Sequence, residues 1–477
     1  MGGRARALCG PRNLRPCKER MWYAYAVSTR DVWQQIFQRF DPEQPPPPEW
    51  RADRERSPVQ DITQALDRPF GEPRALLLGT IGTGKTTELL RIAEARAAIG
   101  QEFVVFIDLV RHFGTVVGDV EALQHVSAWE VCFLAGLALI RAAEERLGYK
   151  FRDELVQGLA EAWKAAAKAT RTTATEPQLD ITGLAKSMVL LASTAAAPQA
   201  APVAAGLKVL EGALGSVRWN VGIGRSERSL PDQDEVMQGL LGSVNLIVGT
   251  FQQWHRRVLF VIDGLDRILS LDRARALFLE SEMVGRLACP LVVSGPFALR
   301  HHKAVSAIRR FSTVCTLVNE PVLREEDPAQ HGPGVSFLCE VYRKRIQGLS
   351  RDELIPVSLL EQLAYYSGGR VREFVKLISM VAERAWDADL PQATEAVVQR
   401  VLDEARRLAE TGIDSGDVEI LERIARDPKH ELPAGDKARE LLTYARLLPY
   451  PNESEWYYPH PLLTIHKVRA KPVGSSG

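Results

Sequence analysis

A nine-residue run at positions 79–87 carries the strongest chemical pattern in this sequence. It reads Gly-Thr-Ile-Gly-Thr-Gly-Lys-Thr-Thr, and its first eight positions match Gly-x-x-x-x-Gly-Lys-Ser/Thr. The glycines let successive backbone N–H groups face phosphate oxygens, and a following helix adds its positive amino-terminal end. Lys85 would reach the outer phosphates, and Thr86 would offer its hydroxyl to Mg²⁺. We therefore expect ATP and Mg²⁺ as cofactors, bound by Gly79, Thr80, Gly82, Thr83, Gly84, Lys85, Thr86 and Thr87.

A magnesium-bound triphosphate also needs an acidic ligand at the end of a neighbouring strand. Residues 258–263 read Val-Leu-Phe-Val-Ile-Asp, an apolar run typical of a buried strand that ends in a carboxylate. We expect Thr86 and Asp263 to share the metal. Asp266 follows three residues later, and it either orients the attacking water or caps the short helix that comes next.

Other polar positions would meet the nucleotide from elsewhere in the fold. Ser294 ends the next predicted strand, where it would sense the γ phosphate or simply occupy a turn. Arg309 and Arg310 precede the fifth predicted strand, where they would reach the nucleotide of a neighbouring subunit or form the basic end of a helix. Residues 368–372 read Gly-Gly-Arg-Val-Arg and open a helix, from which one arginine would point at the nucleotide or into solvent.

The predicted elements place these side chains at one edge of a sheet. Apolar runs predict five strands, at 74–79, 102–108, 257–263, 289–294 and 312–319. A helix over 87–100 separates the first two, and this order favours a parallel sheet in an α/β fold. The chain between 108 and 257 is longer than a crossover needs, which predicts an alanine-rich helical insert at about 113–250. Another helix is predicted at 273–285.

The carboxyl-terminal third is predicted to be helical, with a hairpin near its end. Helices are expected at 357–366, 370–385, 394–411, 417–426 and 436–447, and strands at 448–450 and 456–458. Helices followed by a two-stranded wing are typical of a winged-helix domain. An amphipathic pattern predicts a helix over 21–40, and the prolines at 45–48 stop that helix and mark a boundary. We divide the chain into a tail and helix at 1–50, a P-loop ATPase core at 51–330, a helical lid at 331–412 and a winged-helix-like domain at 413–477.

Composition excludes several classes of protein. A length of 477 residues predicts about three domains. The 60 basic residues balance 60 acidic ones, so bulk charge does not favour a nucleic-acid-coating protein. The six cysteines form no Cys-x-x-Cys pair, which argues against zinc or a disulfide framework. Residues 187–207 lack charge, yet they are rich in weakly apolar alanine and include two prolines, so we do not expect a membrane span and we expect a cytoplasmic protein.

Four segments together resemble the AAA+ ATPases of the STAND and origin-recognition-like branch. They are residues 79–87, Asp263-Gly-Leu-Asp266, Arg309 with Arg310, and residues 368–372. Phe40-Asp-Pro and Pro459-His-Pro-Leu are also similar to bacterial members, and the resemblance spans about residues 39–463. It implies an ATPase core, a helical lid and a winged helix, in which ATP binding changes assembly and hydrolysis resets it. Arg372 would be the lid sensor and Arg309 or Arg310 the finger.

The chain departs from that family where turnover is controlled. Ser294 stands where origin-recognition-like relatives often carry asparagine, and Gly295-Pro296 follow where STAND relatives often carry arginine. Gly264 occupies the position at which many related ATPases place a glutamate. The long insert is also similar to that of the KAP group, in which it can span a membrane.

Three functions remain open from the sequence. The first is an oligomeric ATP switch with slow hydrolysis and a protein partner, which senses or regulates bacterial stress or phage (antiviral) defence. The second is a DNA-loading ATPase that acts through its winged helix. The third is a scaffold that holds ATP without hydrolysing it. The sequence lacks an Asn-Lys-x-Asp motif, which disfavours a GTPase.

Overall fold

A parallel sheet forms the centre of the molecule. The computed structural model describes residues 29–69, 71–170, 185–186, 188, 234–303, 305, 310–349, 353–452 and 455–469. The sheet has the order β2-β3-β4-β1-β5, and each pair of neighbours is parallel. Its strands are β1 Arg74–Gly79, β2 Glu102–Asp108, β3 Arg257–Asp263, β4 Leu291–Pro296 and β5 Thr313–Leu317. The α/β fold and its five predicted strands are confirmed.

The register of the sheet gathers the polar strand ends at one edge. Asp108 at the end of β2 pairs with Asp263 at the end of β3, so two carboxylates lie side by side. Gly79 ends β1 beside Pro296 of β4. Both faces are covered, as expected for a parallel sheet, and successive residues of β1 enter different apolar cores.

Eight α-helices that are described in full lie before the last two strands of the sheet. They are α1 Thr29–Arg39, α2 Val59–Leu66, α3 Lys85–Ile99, α4 Leu109–His112, α5 Ala128–Leu147, α6 Asp153–Thr170, α7 Glu235–Trp254 and α8 Leu271–Arg275. Helices α2 and α3 cover one face of the sheet, and α5 and α7 cover the other. The described helices of the predicted insert therefore share the core of the sheet, because their apolar faces cover it.

The carboxyl-terminal region is built around one further apolar core. It contains α9 Gly334–Ile346, α10 Val357–Tyr366, α11 Val371–Asp387, α12 Glu395–Glu410, α13 Ser415–Arg426, α14 Asp436–Thr443, the antiparallel strands β6 Leu447–Pro451 and β7 Glu455–Pro459, and α15 Pro461–Thr464. This core also includes α1, whose Trp33 Nε1 donates to Leu390 O at 2.7 Å. Helix α1 thus packs in the same core as helices α9–α12, the part of the chain for which a lid was predicted.

Several predicted elements differ from the observed ones. The helix predicted at 273–285 begins slightly earlier and ends earlier: α8 continues as a π-helical turn, Ala276–Glu280, and stops at Ser281, whose backbone is extended and whose hydroxyl accepts the N–H of Met283. Helix α14 ends early because Ala445 has a φ of 55°. Residues 21–28 and most of 187–207 lie outside the described residues. None of the described helices combines the length and the apolar character that a membrane span needs.

Gly369 makes a close approach between the lid and the exit of β5. Its φ is 76°, and an added Cβ would overlap the carbonyl oxygen of Glu320. We expect Gly369→Ala to lower the free energy of unfolding by about 3 kcal/mol, from the left-handed backbone and the overlap together. Gly348 has a similar φ of 79° with open space around it, so Gly348→Ala should cost about 1 kcal/mol. Urea unfolding measures both, and equal losses would contradict the role of the overlap.

Candidate functional site

A cavity of about 480 Å³ opens at the carboxyl edge of the sheet, beside the first turn of α3. Its size falls within the range of small-ligand pockets. The walls come from the glycine-rich loop, the ends of β2 and β3, the segment 41–46 and the start of α11. The lining residues expected from the sequence are Gly82, Gly84, Lys85, Thr86, Thr87, Asp263, Asp266 and Arg372.

The loop before α3 has the conformation that its glycines permit. Gly82 and Gly84 have φ values of 92° and 97°, which side-chain-bearing residues rarely adopt. Thr83 Oγ1 donates to Thr80 O at 2.9 Å, and Thr80 Oγ1 donates to Asn319 Oδ1 at 3.3 Å. These two threonine side chains therefore support the loop from behind, while Gly79 ends β1 and its carbonyl accepts Lys85 Nζ.

Lys85 is buried at the mouth of the cavity. Its Nζ donates to Gly79 O at 3.0 Å and to Thr80 O at 2.6 Å, and it lies 2.8 Å from Asp266 Oδ2. Asp266 lies within a 3₁₀ turn that begins after Gly264, so the alternative that it is a helix N-cap is wrong. Its position inside the turn leaves the carboxylate free to pair with the ammonium group.

Thr86 and Asp263 meet beside this pair. Thr86 Oγ1 donates to Asp263 Oδ2 at 2.6 Å, and Gly264 N donates to Asp263 Oδ1 at 2.8 Å. Burial raises the pKa of Asp263 to about 6, and the charges of Asp266 and Asp108 add to the shift. Hydroxyl and carboxylate oxygens are the ligands that Mg²⁺ prefers, and a cation would relieve the repulsion among these carboxylates. The residues present therefore fit a magnesium ion.

Ser294 and Arg310 do not line the cavity. Ser294 is buried, and its Oγ accepts the N–H of Gly264 at 2.9 Å, so it fixes the turn after β3. Arg310 pairs with Glu282 at 2.7 Å and lies near Arg74, which begins β1 at the opposite edge of the sheet. Arg309 lies outside the described residues.

Arg372 lines the cavity from the start of α11, but its guanidinium group is already bonded to the segment 41–46 of the same chain. Its Nε donates to Pro42 O at 3.1 Å, and its Nη2 lies 3.3 Å from Glu43 Oε2. Burial lowers the pKa of Arg372, and the charge of Arg267 adds to that effect. The segment 41–46 thus forms one wall of the cavity, whereas its prolines predicted only a boundary.

Sequence reasoning missed three more side chains at the site. Asp108 ends β2 beside Asp263, and an apolar run ending in a carboxylate was the same signal that identified Asp263. Arg54 Nη2 donates to Thr83 O at 2.6 Å, and Arg370 Nη2 donates to Ile81 O at 3.0 Å. Arg370 belongs to the segment 368–372, from which the sequence predicted that one arginine would face the nucleotide. No motif or spacing in the sequence indicated a role for Arg54.

Comparisons with known proteins found only distant similarities. No family model and no curated protein matches this sequence. Among solved structures, the chain is similar to Drosophila ORC bound to DNA, with 11% identity, 88% of this chain and 77% of that chain covered, and a TM-score of 0.37. It is also similar to Cdc6p from Pyrobaculum aerophilum, with 14% identity, 90% of this chain and 95% of that chain covered, and a TM-score of 0.38. A third similar structure is the Aeropyrum pernix ORC1 protein in complex with DNA, with 12% identity, 88% of this chain and 94% of that chain covered, and a TM-score of 0.37. Such similarities are too distant to assign the chain to a family.

Proposed function

We propose that this chain is an ATP-binding switch of the AAA+ type that hydrolyses ATP slowly. One observation carries the proposal: the hydroxyl of Thr86 lies 2.6 Å from Asp263 at the rim of a 480 Å³ cavity, with the Lys85 ammonium group beside them. The strand order β2-β3-β4-β1-β5 and the start of α11, which lines the cavity at the carboxyl edge of the sheet, also support it.

Each side chain has a distinct task in this proposal. The N–H groups of the loop and Lys85 bind the phosphates, and Asp266 accepts a hydrogen bond from the attacking water. Thr86 and Asp263 would hold Mg²⁺, which neutralises charge that develops on the transferred phosphoryl group. Lys85 must turn from Asp266 toward the phosphates, which frees that carboxylate for the water.

Slow turnover follows from the same residues. Gly264 offers no side chain where a glutamate would activate water, and the Ser294 hydroxyl is engaged with the backbone of Gly264. Hydrolysis therefore depends on a group from outside the pocket. In our proposal Arg310 or Arg309 is that group in a homo-oligomer, since Arg310 lies at the opposite edge from its own cavity. Such a switch suits a sensor or regulator with a protein partner, in bacterial stress or antiviral defence.

The carboxyl-terminal hairpin does not favour the DNA-loading alternative. Trp456, Tyr457 and Tyr458 of β7 are all buried. On α14, Lys437 pairs with Asp414 at 2.8 Å and Arg439 pairs with Asp436 at 3.0 Å. A DNA phosphate would have to compete with these carboxylates for both basic groups.

The test compares Asp266→Ala with wild type in phosphate release at saturating ATP. We expect the kcat of Asp266→Ala to fall about 100-fold while its ATP affinity changes little, because the water loses its acceptor. Asp272→Ala removes an exposed carboxylate on α8 and serves as the matched control. Unchanged turnover in Asp266→Ala would show that the proposed mechanism is wrong. Tight ATP binding without any turnover in wild type would indicate a scaffold, and no nucleotide binding at all would end the proposal.

A further inference from the structure

A loop that binds phosphate through its N–H groups must turn its carbonyl groups outward. Each outward carbonyl is a strong acceptor and needs a donor of its own when buried. At the two ends of this loop the donors belong to the motif and to the first turn of α3, which continues from it. Lys85 Nζ donates to Gly79 O and to Thr80 O, and Glu88 N donates to Gly84 O at 3.2 Å.

The three carbonyls in the middle of the loop are held from outside the motif. Ile81 O accepts Arg370 Nη2 at 3.0 Å and Nε at 3.3 Å. Gly82 O accepts the backbone N–H of Arg372 at 3.0 Å. Thr83 O accepts Arg54 Nη2 at 2.6 Å. Two of these donors are guanidinium groups, whose charge makes their hydrogen bonds stronger than those of neutral donors.

The side chain of Arg54 is locked in place behind the loop. Only 4% of it is exposed, its Nε lies 2.7 Å from Glu320 Oε1, and its guanidinium group covers the ring of Phe337 at 5.4 Å. Burial raises the pKa of Glu320, which shows that this carboxylate is held in a poorly solvated place, and Arg54 opposes that shift. The position of Arg54 is therefore fixed by groups that do not line the cavity.

Arg370 is largely buried, with little compensation by an acid. Its nearest carboxylate, that of Glu373, is 3.9 Å away. Burial lowers the pKa of Arg370, and the charge of Arg372 lowers it further. The position is thus costly for a cation, and the two hydrogen bonds to Ile81 O are the close contacts that it makes with the loop. An anion in the loop would offset part of that cost.

We propose that Arg54 and Arg370 are positioning residues that hold the phosphate loop in its anion-binding conformation. Arg54 acts through the carbonyl of Thr83 and Arg370 through that of Ile81, so the N–H groups between Gly82 and Lys85 face the cavity before a ligand arrives. This inference rests on the proposed function, because it concerns the same phosphate site. It predicts that loss of either arginine weakens the binding of polyphosphate itself.

The main experiment removes the Arg54 pair without leaving a lone buried charge. In Arg54→Gln/Glu320→Gln we expect the Kd for ATP and for inorganic tripolyphosphate to rise about 10-fold or more, in proportion to a lost charged hydrogen bond. The matched control is Arg51→Gln/Glu94→Gln, which removes a 2.6 Å pair in the same part of the chain and away from the loop carbonyls. That control should change either Kd by less than about 2-fold. Competition against a fluorescent ATP analogue measures both ligands, and thermal unfolding reports stability separately.

Two further variants make the outcome decisive. Arg370→Gln should weaken tripolyphosphate binding in the same way, and Arg54→Lys, which keeps the charge but not the planar donor group, should show an intermediate loss. Arg54→Lys also decides the matter if the double variant does not fold. Wild-type affinity for tripolyphosphate in the Arg54 and Arg370 variants would overturn this inference alone. A wild-type protein that binds neither ATP nor tripolyphosphate would instead overturn the proposed function.

Discussion

Lys85→Ala is expected to weaken ATP binding about 100-fold or more and to reduce phosphate release to background. The ammonium group is buried beside the phosphate loop, where the carbonyls of Gly79 and Thr80 and the carboxylate of Asp266 hold it. Its charged hydrogen bonds to phosphate have no substitute in an alanine variant. Calorimetric titration with ATP in the presence of Mg²⁺ measures the loss. ATP binding at wild-type strength would contradict the assignment of the site.

The same substitution should also lower stability, which needs a separate control. Without Lys85, Asp266 keeps a largely buried charge that has lost its 2.8 Å partner, at a cost of about 3 kcal/mol. We expect Lys85→Ala/Asp266→Asn to recover most of that stability and none of the ATP binding. Lys429→Ala, at an exposed lysine, should change neither quantity. Recovery of ATP binding in the double variant would mean that Lys85→Ala acted only through folding.

Asp263→Asn is expected to reduce metal-dependent turnover about 100-fold and, at the same time, to stabilise the protein without ligand. Burial raises the pKa of Asp263 to about 6 in the folded chain, above its ordinary value of 3.8. The folded state therefore binds a proton more tightly than the unfolded state, and stability from this group falls as pH rises from about 4 to about 6. Above pH 6 the charged carboxylate destabilises the fold. Asparagine removes that charge, and its oxygen can still accept the N–H of Gly264 while its NH2 group donates to the hydroxyl of Thr86.

The gain in stability should reach about 1 to 3 kcal/mol at pH 8 and shrink as the pH is lowered through 6 toward 4. Urea unfolding at both ends of this range measures it. The kcat for ATP with Mg²⁺ should fall about 100-fold, and wild-type turnover should itself decline below pH 6, because protons then compete with the cation for Asp263. Asp272→Asn makes the same change at an exposed carboxylate and should leave stability and turnover unaltered. An Asp263→Asn protein that is less stable than wild type at pH 8 would show that the buried charge of Asp263 does not destabilise the fold.

The parts of the fold that sequence predicts well are those with a strong local pattern. The five strands are nearly continuous apolar runs because both faces of a parallel sheet are buried. The order of the elements then brings the end of β3 beside the phosphate loop, which is why Asp263 was found by its position after an apolar run. Helix α10, at Val357–Tyr366, was predicted with its observed bounds because its apolar residues recur at helical spacing.

The contacts that depend on folding at long range had no such pattern. Arg54 meets the carbonyl of Thr83 from 29 positions away, and nothing in the spacing of the two residues indicates this. The proline-rich segment 41–46 predicts a break in secondary structure equally well whether it crosses open solvent or a cavity. Likewise, the amphipathic pattern of α1 shows that one face is buried and not which helices bury it.

The attachment of α1 to the lid has a mechanical consequence for the cavity. The segment 41–46 leaves α1, forms one wall of the cavity and is bonded to Arg372 of α11. A rotation of the lid away from the sheet would therefore withdraw that wall in the same movement. In such a rotation the cavity would open without a separate movement of the segment 41–46.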